Sequence, residues 1–227
     1  MSIFAEKVSD GYGGFTYNPT GLGYATMVLI LLVLLILIGM IRGKRKDGKK
    51  ISTKQITFSA LAIALAMVTS YFKLFDMPMG GSVTLFSMLF ICLIGYWYGL
   101  GAGLMAGIAY GVLQMIIDPY VVSLPQMFCD YIFAFGALGL SGIGHNKKHG
   151  LLLGYLLGVF GRYVFAVISG VIFFASYAPE TMSPFVYSAS YNGAYLAAEA
   201  VLTIVVISLP PVKKALEYVR KMAIEAS

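Results

Sequence analysis

Residues 151–175 read LLLGYLLGVFGRYVFAVISGVIFFA, an unbroken apolar run that contains one charged residue, Arg162. A helix needs roughly 20 residues to cross the hydrocarbon core of a bilayer, and this run is longer than that. Its apolar residues are continuous rather than alternating, which favours a helix over the strand of a membrane barrel. The stretch therefore predicts a membrane-spanning helix.

The rest of the chain has the same character. Hydrophobic residues make up 59% of the 227 positions and charged residues 11%, outside the usual range of a soluble domain. The apolar runs predict seven spans, at 22–41, 56–72, 82–98, 100–116, 121–143, 151–175 and 188–209. We therefore expect an all-α, polytopic helical bundle in the lipid bilayer. Residues 1–50 would form a tail, an additional helix and a basic linker, and 51–227 the main membrane domain.

Charge predicts the orientation of the chain. The basic run RGKRKDGKK at 42–50 follows the first span directly, so this end is expected in the cytoplasm, the N-terminus outside and the C-terminus inside. The other predicted inner ends agree, since they carry Lys54, Lys147, Lys148, Lys213, Lys214, Arg220 and Lys221, against only Lys7 and Lys73 outside. The outer segments are acidic, with Glu6, Asp10, Asp76, Asp118 and Glu180. Such a mouth would concentrate cations, and nucleic acid is not indicated as a partner.

Three charged residues fall inside predicted spans, at similar depth: Asp130, Arg162 and Glu199. Ionisable groups at this depth are costly, face the protein interior and often mark a functional site. One interpretation is that Arg162 pairs with one carboxylate and locks two helices together. A carboxylate would then be left over, which must either be protonated or meet a cation from outside. A monocationic ligand would fit that balance.

Side chains around these charges predict a pocket. One face of the sixth span carries Arg162, Ala166, Gly170 and Phe174, four residues apart. The last span carries Tyr187, Tyr191, Tyr195 and Glu199 in the same way, with Asn192 beside them. The fifth span adds Gln126, Asp130 and Tyr131, and Tyr120 lies at its mouth. Tyrosine rings attract cations, although an interfacial aromatic belt would also place tyrosines near the outer surface.

Small residues recur at helical spacing on two other spans. Gly99, Gly103, Gly107 and Gly111 form a stripe that predicts close packing of helices within the protein. Ala60, Ala62, Ala64 and Ala66 form similar pairs on the second span, for which periodicity alone leaves internal packing and a partner interface open.

Motifs of catalysis and nucleotide binding are missing. The sequence has no G-x-x-x-x-G-K-[ST], G-x-S-x-G or H-E-x-x-H motif. Cys92 and Cys129 lie in apolar segments without metal-ligand spacing, and His145 and His149 have no acidic neighbour. We therefore predict a binding protein with no metal or cofactor. The competing class is an intramembrane enzyme using Asp130, Arg162 and Glu199.

Five short blocks resemble one known family. They are MPMGGSVTL at 77–85, PQMFCDY at 125–131, AFGALG at 134–139, ISGVIFF at 168–174, and Tyr187-Ser188 followed by Tyr191-Asn192-Gly193. In this order they resemble the thiamine-specific substrate-binding (S) component of energy-coupling factor (ECF) transporters, over about residues 56–210. The resemblance implies a six-helix core plus one additional N-terminal helix. It also implies a high-affinity vitamin-binding subunit that captures thiamine from outside. That subunit would dock on a transmembrane coupling subunit driven by two ATPase subunits.

The resemblance also implies roles for single residues. The thiamine pocket would be formed by Tyr120, Asp130, Tyr131, Gly170, Phe174, Tyr187 and Asn192, with Gly81, Gln126, Arg162, Ala166 and Glu199 as further candidates. The loop 77–82 corresponds to the family's mobile cover. The docking patch corresponds to Ala60, Ala62, Ala64 and Ala66.

Three features depart from the family pattern. Ala166 stands where the family usually has histidine, Gly81 stands where some members have tryptophan, and the span 22–41 is additional. The lost histidine removes a polar contact, so a related vitamin or a pyrimidine precursor stays open as the ligand.

Overall fold

The computed structural model describes residues 3, 5–9, 15–26, 29, 51–77 and 81–224. The predicted first span at 22–41 and the basic run at 42–50 lie largely outside the described residues, and so do residues 78–80 of the predicted cover. Near the N-terminus, β1 (Ala5–Ser9) pairs with β2 (Phe15–Pro19) in an antiparallel hairpin.

Helices form most of the remaining described chain. They are α1 (Thr53–Ser70), α2 (Ser87–Tyr98), α3 (Leu100–Ile117), α4 (Leu124–Gly144), α5 (Gly150–Phe173), α6 (Pro184–Ser208) and α7 (Pro210–Ile224), with a short 3₁₀ turn at Ala175–Tyr177. Within the described residues, the five helices α1, α3, α4, α5 and α6 are long and apolar enough to cross a membrane. The predicted multi-pass helical membrane protein is confirmed.

The span predicted at 82–98 is shorter than expected. Ser82–Thr84 forms strand β4, which pairs with β3 (Lys73–Asp76), and α2 begins only at Ser87. Phe86 before it has a left-handed backbone (φ 64°), which a right-handed helix cannot contain. The 12 residues of α2 extend about 18 Å, less than the ~30 Å hydrocarbon core. Apolar composition could not reveal this break, because both the strand and the helix are buried.

Glycines bring α2, α3 and α4 into backbone contact. A Cβ added at Gly103, Gly107 or Gly111 would collide with backbone atoms of α4, Gly139 among them. The predicted packing role of the glycine stripe is confirmed for these three residues. Gly99 differs, since it has open space around it and a φ of +86°, and it forms the turn between α2 and α3.

Helix α7 packs across one end of the bundle. The Tyr98 hydroxyl donates to the Ala223 carbonyl (3.2 Å), and Arg220 donates to Asn146 Oδ1 (3.2 Å) while its guanidinium lies 4.6 Å from the centroid of the Tyr96 ring. The sequence predicted no membrane span here, because four basic side chains and Glu217 interrupt the apolar residues of α7.

The four alanines of α1 divide between two faces. Ala62 and Ala66 are 3% and 0% exposed and belong to the core, whereas Ala60 and Ala64 are exposed. Ala62 and Ala66 therefore pack internally, and only Ala60 and Ala64 lie where a partner could contact them.

Candidate functional site

A cavity of about 230 Å³ lies between α3, α4, α5, α6 and the β3–β4 hairpin. All twelve residues that the sequence analysis assigned to the pocket, including the five further candidates, line this cavity. The four-residue spacing that grouped pocket residues on α5 and on α6 therefore identified two helix faces that meet in three dimensions. Their contact with a ligand stays a prediction.

A π-helical turn at Phe128–Phe133 carries Asp130 into the cavity wall. Gln126, which is 1% exposed, holds it there, because Gln126 Nε2 donates to Asp130 Oδ2 (2.5 Å) and to the Tyr120 carbonyl (3.1 Å). Gln126 Oε1 accepts from the Val122 amide (3.0 Å), so the amide group is fully used within the protein. Gln126 thus orients Asp130, whose second oxygen can accept hydrogen bonds from a ligand.

Tyr131 fixes the loop that enters α4. Its hydroxyl accepts from the Tyr120 amide (2.8 Å) and donates to the Asp118 carbonyl (3.0 Å), and its ring stacks on Phe135. The Tyr120 ring in turn packs against Phe174 with a centroid separation of 5.9 Å. Tyr131 therefore positions Tyr120, and Tyr120 and Phe174 together give the cavity an aromatic wall.

Helices α5 and α6 meet closely at Gly170. A Cβ at this position would lie 2.8 Å from the Ser188 Cβ, so glycine is required for this approach. Asn192 connects the same helices, since its Nδ2 donates to the carbonyls of Ala166 (3.3 Å) and Ser188 (2.9 Å) and its Oδ1 accepts from the Tyr195 hydroxyl (2.9 Å). Both amide protons of Asn192 are used within the protein, so it can meet a ligand only as an acceptor.

The predicted ion pair between Arg162 and a membrane carboxylate is wrong. Within the described part of the chain, Arg162 forms no ion pair, and its guanidinium carbon lies 4.2 Å from the centroid of the Phe135 ring. Glu199 is engaged elsewhere, because Oε2 accepts from the amide and hydroxyl of Thr84 (2.9 and 2.7 Å) and Oε1 from the Met88 amide (3.2 Å).

Three tyrosines of α6 follow one another along the cavity, the first two with stacked rings and the last two edge to face. The ring centroids of Tyr187 and Tyr191 are 6.1 Å apart, and those of Tyr191 and Tyr195 are 5.9 Å apart. The Gly81 amide donates to the Tyr191 hydroxyl (3.0 Å), and a Cβ on Gly81 would lie 2.9 Å from both Tyr191 and Tyr195. Helix α6 therefore supplies the aromatic surface next to Gly81.

The mouth of the cavity is less acidic than the sequence suggests. Lys73 Nζ lies 3.4 Å from Asp76 Oδ1 and 3.5 Å from Asp118 Oδ2. Partial burial lowers the pKa of Lys73, but the carboxylates of Asp118 and Asp76 outweigh this and raise it above its ordinary value. Lys73 stays charged and offsets part of the negative field at the entrance.

Ser169, Tyr110 and Gln114 are among the polar residues of the cavity wall that were not predicted from the sequence. Ser169 is 1% exposed, and Tyr110 accepts a hydrogen bond at its hydroxyl from Gln114 Nε2 (2.6 Å) one turn further along α3. The spacing of Tyr110 and Gln114, two polar residues four apart in an apolar span, is the signal that could have identified them.

Comparison with known proteins gives a consistent result. The sequence model of the family described as thiamine transporter protein (Thia_YuaJ) matches residues 56–218. The thiamine transporter ThiT of Bacillus subtilis (strain 168) is 34% identical over 165 residues, which cover 66% of this chain and 84% of that protein. A thiamine transporter ThiT from Lacticaseibacillus paracasei is 28% identical over 141 residues, covering 55% of this chain and 70% of that protein. A solved structure of ThiT from Listeria monocytogenes has the same fold, with a TM-score of 0.62 at 22% identity over 74% of this chain and 96% of that chain.

Proposed function

The chain belongs to the thiamine transporter protein family, and we propose that it is the thiamine-binding membrane subunit of an ECF importer. The observation that carries this proposal is Asp130, a carboxylate held by the buried Gln126 in the wall of a cavity lined by aromatic rings. Because the family is one of transporters, the intramembrane-enzyme alternative is set aside.

Thiamine has two groups that this wall can recognise. Its aminopyrimidine donates hydrogen bonds, and the second oxygen of Asp130 can accept them. Its thiazolium ring carries a fixed positive charge, which aromatic faces attract by about 0.5–2 kcal/mol each, depending on desolvation. The pair Tyr120–Phe174 and the tyrosines of α6 provide such faces on two sides of the cavity.

The transport role uses the outer surface of the bundle. We propose that the N-terminus lies outside and the C-terminus in the cytoplasm, which the basic residues of the predicted inner ends support. Ala60 and Ala64 form the exposed small-residue patch through which the coupling subunit would approach α1. ATP would be hydrolysed by two separate ATPase subunits, since the sequence has no Walker A motif.

Calorimetric titration of the full-length, detergent-solubilised protein tests this proposal. Thiamine should bind at one site per chain, and mass spectrometry of copurifying small molecules should detect it in protein from cells grown with thiamine. The pyrimidine precursor without the thiazolium ring serves as the matched ligand and should bind more weakly. Tighter binding of the precursor would instead support the alternative ligand, and no binding of thiamine would refute the proposal.

A further inference from the structure

Glu199 is a buried carboxylate with both oxygens occupied by protein donors. Glu199 is 2% exposed. Its carboxylate accepts three hydrogen bonds, from the Thr84 amide, the Thr84 hydroxyl and the Met88 amide. Two of these donors belong to Thr84, three residues before α2 begins, and the third is the Met88 amide in the first turn of α2. A charged residue of α6 is therefore bound to the beginning of another helix.

Helix α2 has no N-terminal cap of its own. The residue before it, Phe86, has a left-handed backbone and provides no side-chain hydrogen bond to the first turn. The first amides of a helix lack intrahelical partners and carry the positive end of the helix dipole, so a carboxylate placed there stabilises them. Glu199 performs this role from α6, and the Thr84 hydroxyl, 2.6 Å from the Ser87 hydroxyl, extends the network.

The same segment also forms part of the cavity wall. Strand β4 starts at Ser82, directly after Gly81, whose amide is bound to Tyr191. Tyr191 and Glu199 lie two turns apart on α6, about 12 Å at ~1.5 Å per residue. Helix α6 therefore holds the wall at two points, with a neutral hydrogen bond at one and a group of charge-assisted hydrogen bonds at the other.

We propose that Glu199 is a positioning residue for ligand binding, which caps α2 in trans and fixes the Gly81–Ser87 wall against the tyrosines of α6. It is not the counter-ion of the ligand. Asp130 and Arg162 are then the charged side chains that the cavity presents to a ligand at this depth. This inference rests on the proposed function for its ligand, and the experiment below separates the two.

Four variants of the full-length protein test the role of Glu199. Glu199→Gln replaces one acceptor oxygen by an amino group that faces backbone donors, and Thr84→Val removes one donor without changing any charge. Thr84→Ser keeps the hydroxyl and is the conservative control, and Glu180→Gln makes the same chemical change at an exposed position. The probes are thiamine and 3-deazathiamine, in which an uncharged thiophene replaces the thiazolium ring.

We expect Glu199→Gln and Thr84→Val to weaken the binding of both probes on the order of tenfold, the effect of losing one charge-assisted hydrogen bond. Thr84→Ser and Glu180→Gln should bind as the wild type, and the ratio of the two dissociation constants should be the same in every variant. Selective loss of thiamine binding in Glu199→Gln, with Thr84→Val unchanged, would overturn the inference and make Glu199 a counter-ion.

Hydrogen exchange of the ligand-free protein provides a readout that needs no ligand. Glu199→Gln and Thr84→Val should exchange faster at the amides of residues 84–88, while α3 to α5 keep their protection. Unchanged exchange at 84–88 in both variants would refute the cap. If the wild type binds neither probe, the proposed function fails, and the exchange experiment still decides the role of Glu199.

Discussion

Replacing Asp130 by asparagine tests the centre of the proposed site. The amide has nearly the same shape as the carboxylate and can turn its oxygen toward Gln126 Nε2, which now lies 2.5 Å from Asp130 Oδ2. Packing should therefore be kept. The amino group would face the ligand in place of a charged acceptor, so the substitution removes the recognising charge.

The size of the effect follows from the hydrogen bond that is lost. Hydrogen bonds to charged groups contribute about 1.5–3 kcal/mol, and about 1.4 kcal/mol corresponds to a tenfold change in affinity. Asp130→Asn should thus weaken thiamine binding roughly 10- to 150-fold. Arg162 would also become an unopposed positive charge beside the ligand, so adding Arg162→Met to Asp130→Asn should recover part of the affinity.

Titration calorimetry with thiamine, together with melting curves of the ligand-free proteins, measures both effects. Asp76→Asn is the matched control, because the Asp76 side chain is 66% exposed and does not line the cavity. It should bind thiamine as the wild type does. A stable Asp130→Asn protein with wild-type affinity would refute the assignment of Asp130 to the ligand site.

Three further changes test packing, docking and the N-terminal region. Gly170→Ala should weaken thiamine binding and cost about 1–3 kcal/mol of stability, because the new Cβ would lie 2.8 Å from the Ser188 Cβ of α6. Gly193→Ala is the control, since its nearest contact would be 3.6 Å, and its melting temperature and affinity should stay unchanged. Ala64→Phe should abolish thiamine uptake by cells while the purified chain still binds thiamine. Ala62→Phe, on the buried face, should instead lower the yield of folded protein. Equal loss of binding and uptake in Ala64→Phe would argue against docking at this surface. Deleting 1–50, with a new initiating methionine, should leave a folded thiamine-binding core, and loss of ligand-dependent stabilisation in a melting assay would count against that boundary.

The sequence predicted which helix faces line the site better than it predicted which side chains form hydrogen bonds or ion pairs there. Residues four apart on a helix share a face whatever the neighbouring helices do, so the pocket sides of α5 and α6 could be identified from spacing alone. Which donor meets which acceptor depends on how helices distant in sequence pack together. Arg162 was therefore expected to meet a carboxylate. The structure instead places its guanidinium over the Phe135 ring, and Glu199 accepts from the amides of Thr84 and Met88.

The residues at which helices and strands begin and end were harder to predict where backbone geometry overrides composition. Phe86 has a left-handed backbone, so the helix in the apolar run 82–98 begins only after it. Nothing in the residue type predicts this, because phenylalanine is an ordinary residue of membrane helices. Periodicity also could not divide the alanines of α1, because the pairs Ala60–Ala64 and Ala62–Ala66 have the same spacing. Only the position of α1 against the core shows that the second pair is internal.

The contact of α3 with α4 through glycines bears on how ligand specificity could change by mutation. At Gly111 the backbone of Tyr131 lies directly against α3, with no side chain between them that could be exchanged for a larger or smaller one. The wall that carries Asp130 therefore offers few tolerated substitutions. Helices α5 and α6 present side chains to the cavity that do not take part in this backbone contact of α3 with α4, such as Ala166 and Tyr187. A laboratory selection for a new vitamin should accumulate its changes on α5 and α6 and leave α4 unaltered.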